Sequence, residues 1–72
     1  MRLAERITAD PEVMHGRACI KGTRIPVSVI LGNLADGVTE EEIIKSYPSI
    51  TPDDIRAAIS YASQILKERE VV

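Results

Sequence analysis

Arg17, Lys21 and Arg24 stand close together in the short stretch RACIKGTR. Cations this near one another can neutralise phosphates or meet the carboxylates of an acidic partner, as the strands of β-ribbon readers do in a groove. The same residues also read as solvated strand and turn charges, with Arg24 hydrogen-bonded to a carboxylate. Residue types alone leave both readings open. Other chemistry fits less well. His15 and Cys19 could hold zinc only if two chains each supplied a pair, because zinc takes four ligands. A nucleophilic Cys19 would lack a third group to orient the imidazole, so the two read more simply as a polar turn residue and a small buried thiol. Glu40, Glu41 and Glu42 fall on a first helical turn, where carboxylates compensate the macrodipole. Gly16 and Gly22 belong to neither GxxxxGK[ST] nor GxGxxG, which argues against a nucleotide-binding loop. The expectation is a protein that is not an enzyme, with no catalytic, cofactor-binding or metal-binding residues and no small-molecule substrate.

These cations must be placed by an N-terminal arm over residues 1–26, expected to be extended and rich in turns. A three-helix bundle over 27–68 and a frayed tail over 69–72 complete a single expected domain. Asp10-Pro11, Gly16 and Gly22 break the arm into two or three short strands. Gly22, after Lys21, suits the second central position of a type II turn or the glycine of a bulged type I turn. The simplest hairpin sets Ile20 opposite Thr23 and Ala18 opposite Ile25, with Cys19 and Arg24 on the other face. Pro26 cannot donate to a ladder and ends the strand, while its fixed φ suits the start of a helix.

The first helix is expected from Val27 to Asp36, with Val27, Ile30, Leu31 and Leu34 on one stripe and Gly37 as a left-handed terminator. Thr39 with Glu42 forms a capping box, stapled by Val38 and Ile43, for a short helix over Glu40 to Ser46 that Tyr47-Pro48 ends. Thr51 caps the third helix. Pro52 takes its first position, Asp53 and Asp54 complement the dipole, and Ile50 staples to Ile55. Its buried stripe reads Ile55, Ala58, Ile59, Ala62, Ile65 and Leu66, with fraying near Glu68.

The fold class expected is therefore mainly α with a small β extension: an N-terminal β-hairpin, then a three-helix, helix-turn-helix-like bundle of homeodomain-like or winged-helix-like shape. In the DNA-binding use of that shape, the start of the third helix enters the major groove. Here that start is Thr51, Pro52, Asp53 and Asp54, and only Arg56, Ser60 and Gln64 offer donors to base edges. Two carboxylates at the entering end oppose the usual docking.

With 72 residues, the domain buries only about 60% of the surface its unfolded chain exposes. Isoleucine dominates the apolar side chains, Phe and Trp are absent, and one cysteine rules out an intramolecular disulfide. No basic leader followed by an apolar run is seen, so the expectation is a cytoplasmic protein with no membrane span. So small a core commonly needs covering, and a homodimer or hetero-complex is expected. The net charge of −2 hides an asymmetry. Through Pro26, Arg2, Arg6, Arg17, Lys21 and Arg24 outweigh Glu5, Asp10 and Glu12; beyond it, carboxylates outnumber cations. Any phosphate contact should fall to the arm, because the helical half would repel DNA.

The run GRACIKGTRIPVSVILGNLADGVTEEEIIKSYPSITPDDIRAAISYAS resembles a large family of short prokaryotic proteins catalogued as a domain of unknown function. Its marks are the GTRIPV strand, a helix ending at a glycine, an EEI…YP helix and a final helix opening on a threonine cap. The resemblance runs from Ile7 to Ser63, with Ile50 where the family usually has leucine. It implies a three-helix, helix-turn-helix-like fold with an N-terminal β extension. It also implies a VapB-type antitoxin role beside a PIN-like nuclease toxin, whose acidic metal-binding pocket could be covered or filled by a cation such as Arg24 or Arg17. Antitoxins of this kind usually bind their own promoter as dimers.

Overall fold

Ile20, Ile30, Ile43, Ile50 and Ile55 come from five successive segments and are each no more than 1% exposed. They meet Val27 and Ala58 in one core cluster, and burial of each such side chain contributes roughly 1.5–3 kcal/mol. The computed structural model describes residues 3–70; Arg2, counted above in the basic arm, and Val71 and Val72 of the expected tail lie outside them.

The first described elements are a 3-10 turn over Leu3–Arg6 and strand β1 over Ile7–Thr8. A second turn, Met14–Gly16, precedes strand β2 at Cys19–Ile20. Helices α1, Val27–Ala35, α2, Glu40–Ser46, and α3, Pro52–Arg69, complete the fold. The protein is mainly helical, with one small antiparallel sheet in which Ile7 faces Ile20 and Thr8 faces Cys19.

The helix ends follow their local signals. The Thr39 hydroxyl accepts from the Glu42 amide at 3.2 Å, satisfying an orphan donor of α2, but the Glu42 side chain returns no bond to the Thr39 amide, so the box expected there is half formed. At α3 the capping box is complete: Thr51 accepts from the Asp54 amide at 3.2 Å, and Asp54 accepts from the Thr51 amide at 2.9 Å. Gly37, at φ 84°, closes α1. Its amide reaches the Leu34 carbonyl and the Val38 amide reaches Asn33, both at 3.0 Å, the paired bonds of a Schellman motif.

Three details differ from the sequence reading. The hairpin register is shifted, with Cys19 opposite Pro26 and the Ile20 amide donating to the Ile25 carbonyl at 3.0 Å. The cause is Thr23. Its hydroxyl donates to the Ile20 carbonyl at 2.7 Å and accepts from the Ile25 amide at 3.1 Å, so Lys21 to Arg24 all lie in the loop. The shift is by two residues, so Cys19 and Arg24 still line one cleft, although Cys19 itself is buried. Second, the arm is not uniformly extended. Met14, His15 and Gly16 take φ of 50°, 57° and 80°, forming a left-handed turn. Third, α3 is rotated and one residue longer than expected. Asp54, Ile55, Ala57 and Ala58 are buried, whereas Ile59 and Leu66 are 50% and 62% exposed. The Leu3–Arg6 turn, β1 and α1 all pack on α3, and the face of α3 that is covered includes Ala57 and leaves Ile59 outside.

Candidate partner-binding surface

The Lys21-Gly22 turn is anchored on three sides. The Thr23 amide reaches the Ile20 carbonyl at 3.0 Å, and Gly22 takes φ 78° as the second central residue of a type II turn requires. The Lys21 amide donates to the Arg6 carbonyl at 2.7 Å, tying the turn to the start of the chain. Pro26, buried at the entry to α1, accepts from the Val29 amide at 3.0 Å. The loop between these anchors therefore presents Lys21 and Arg24 from a fixed backbone.

Arg17 reaches the same place by another route. Asp10 accepts from the Glu12 amide through Oδ1 at 2.9 Å and from the Val13 amide through its carbonyl at 2.9 Å, turning the chain across Pro11. The left-handed turn then closes with the Arg17 amide on the Met14 carbonyl at 3.2 Å. The result is an open cleft lined by Thr8, Asp10, Arg17, Cys19, Lys21 and Arg24. Arg17, Lys21 and Arg24 are exposed, and no side-chain hydrogen bond or ion pair engages them among the described residues. The reading in which Arg24 holds an internal carboxylate is not what the structure shows. Asp10 is the one carboxylate of the lining, so the cleft carries an excess of positive charge.

Arg56 stands apart. It belongs to α3, where its Nη1 lies 4.0 Å from Asp53 Oδ1 with the side chain 75% exposed, and it does not line the cleft. Arg6, which the sequence reading did not single out, proves the best-connected cation. Its guanidinium lies 3.0 Å from Asp54 Oδ1 and 3.7 Å from Asp53 Oδ2. The Thr51-x-x-Asp54 spacing was the signal available for Asp54 as a cap; nothing local announces its distant arginine.

His15 is exposed in the left-handed turn and Cys19 is a buried free thiol within the sheet, so they form no pair at the surface. Among the described residues no cluster of three or more His, Cys, Asp or Glu could hold a metal ion, and no helix is long and apolar enough to cross a membrane. What the cleft can do chemically is bind: a guanidinium offers paired donors to a carboxylate or phosphate, and a lysine adds a point charge.

A family described as "Protein of unknown function (DUF433)" matches residues 7–62. The uncharacterized protein y4eO of Sinorhizobium fredii is 33% identical over 58 residues, covering 81% of this chain and 26% of that protein. The crystal structure of a DUF433 member protein from Anabaena variabilis superposes with a TM-score of 0.80 at 33% identity, covering 88% of this chain and 62% of that one. The chain thus spans about a quarter of the curated relative and under two thirds of the solved one.

Proposed function

Starting from the fact that the chain belongs to the DUF433 family, we propose that it is a non-enzymatic binding module of the antitoxin type, acting on a PIN-like ribonuclease. The observation that carries the reading is the contrast among its arginines. Arg6 and Arg56 lie against carboxylates of their own chain, whereas Arg17, Lys21 and Arg24 converge exposed on one cleft with no internal partner among the described residues. A nuclease that holds metal ions on RNA needs a cluster of carboxylates, and a guanidinium entering that cluster competes with the metal for the same oxygens. Arg24, in the anchored loop, and Arg17, at the cleft's other wall, are the residues assigned that contact.

The helices are read here as a helix-turn-helix-like unit, α2 and α3 being joined across residues 47–51. Operator DNA is a second ligand within the same reading, contacted through the basic cleft rather than through α3. Asp54 at the start of α3 is already committed to Arg6 and Thr51, and Asp53 beside it would repel phosphates.

The test is to purify the protein with a PIN-like nuclease from its own cells and measure complex formation and RNase activity. A stable complex whose inhibition is lost in Arg17→Ala with Arg24→Ala is expected. No complex, together with unchanged RNase activity, overturns the antitoxin reading. DNA binding is read in the same preparations by its salt dependence, which should be steep and should flatten in Lys21→Ala.

A further inference from the structure

We propose that the exposed apolar strip of α3 is the interface of a two-fold homodimer in which α3 crosses its own copy at Ala62 and Ser63. The second half of α3 is unusual for a helix that reaches solvent. Between Arg56 and Lys67 it carries no charged residue, in a chain that is 28% charged. Ile59 and Leu66 are 50% and 62% exposed; among the described residues only Met14 joins them as a large exposed hydrophobic. A helix face left both apolar and uncharged is expected to be covered.

The pattern of that strip fits a second copy. Ile59 and Leu66 are seven residues apart, about two helical turns, and therefore lie on one side of α3. Between them, Ala62 and Ser63 make a large, small, small, large order that reads the same in both directions. Two antiparallel copies crossing at the small pair bring Ile59 of each onto Leu66 of the other, the reciprocal contact of an isologous interface. The small residues at the crossing let the axes approach toward the short end of the usual 8–10 Å range. A groove between α1 and α3, lined by Val27, Leu31, Tyr61, Ile65 and Leu66, continues the apolar surface beside the strip and receives the side chains of the second copy.

The exposed area agrees. The protein exposes 5401 Å², against about 4,400 Å² for a compact monomer of its 7.9 kDa mass. That excess, on the order of 1,000 Å², belongs to the whole chain rather than to α3 alone, and leaves room for the roughly 800 Å² that each partner buries in a standard interface. The inference uses neither Lys21 nor Arg24; Arg17, which lines this groove as well as the basic cleft, is left unchanged in its test.

Sedimentation equilibrium on the full chain tests it. A dimer is expected at micromolar concentration, with the dissociation constant raised about tenfold or more in Leu66→Glu and in Ile59→Glu while far-UV circular dichroism keeps the helical signal. Ser63→Cys serves where those variants fail to fold. At the crossing point it should give a covalent dimer with a short bismaleimide, whereas Lys45→Cys on α2 should not. A chain that stays monomeric at hundred-micromolar concentration overturns the proposal. A dimer that survives both glutamates overturns it too, as does a monomer that uses this strip to hold a different protein.

Discussion

Arg6 donates through Nη1 to Oδ1 of Asp54 at 3.0 Å, across 48 residues of sequence. Asp54 is 6% exposed and also accepts from the Thr51 amide, so a single carboxylate caps α3 and fastens the N-terminal turn to it. Removing the arginine leaves a buried carboxylate with its cap bond but without its counter-charge. Arg6→Ala is expected to cost ~2 kcal/mol, measured by chemical denaturation. Asp54→Asn keeps acceptor and cap and should cost less. Equal stability of Arg6→Ala and the parent would show that the pair contributes nothing.

Gly22 supplies the positive φ of the basic turn, and an added Cβ there would meet nothing within 4 Å. Any loss on substitution is therefore conformational rather than steric. Gly22→Ala should cost about 1 kcal/mol, and Gly22→Asn less, because asparagine visits the left-handed region more readily. A thermal melt of the two variants beside the parent reads the order directly.

His15 occupies the left-handed region at φ 57°, next to Met14 at 50°. A non-glycine residue pays roughly 1–2 kcal/mol for that conformation, partly offset by the greater freedom glycine would have in the unfolded chain. His15→Gly is expected to raise stability by about 0.5 kcal/mol. A clear fall in the denaturation midpoint would mean that the imidazole makes a contact worth more than the strain.

The helices were legible because their signals are local. Thr39, Thr51, Pro52 and Gly37 each act on backbone within a few residues, and the observed ends of α2 follow them residue for residue. The hairpin register was not, since one Thr23 hydroxyl shifts it by bonding Ile20 and Ile25. Nor was the rotation of α3. Periodicity offers Ile59 and Leu66 as core as readily as Ala57, and only the packing of the Leu3–Arg6 turn, β1, α1 and α2 on α3 decides between them. In the cleft, Lys21 and Arg24 were placed together by their turn. Arg17 joins them through a left-handed turn that His15 tolerates better than most residues but that Met14 gives no sign of, while Arg56, on a different element, stays apart.

The exposed cations make a prediction opposite in kind to that for Arg6. Lys21 and Arg24 have no internal partner among the described residues, so the fold gains nothing from their charge. Lys21→Glu combined with Arg24→Glu should leave stability within about 0.5 kcal/mol of the parent, measured by denaturation. Binding should respond in the reverse way. On the proposed reading, two charge reversals in a cleft that faces an acidic partner replace attraction by repulsion, which lowers the association rate and inverts its salt dependence, since added salt then screens a repulsion. Arg56→Glu, on α3 and already beside Asp53, controls for net charge and should leave association unchanged. A double variant that binds the nuclease at the parent rate, measured by surface plasmon resonance at low salt, would remove the cleft from the contact.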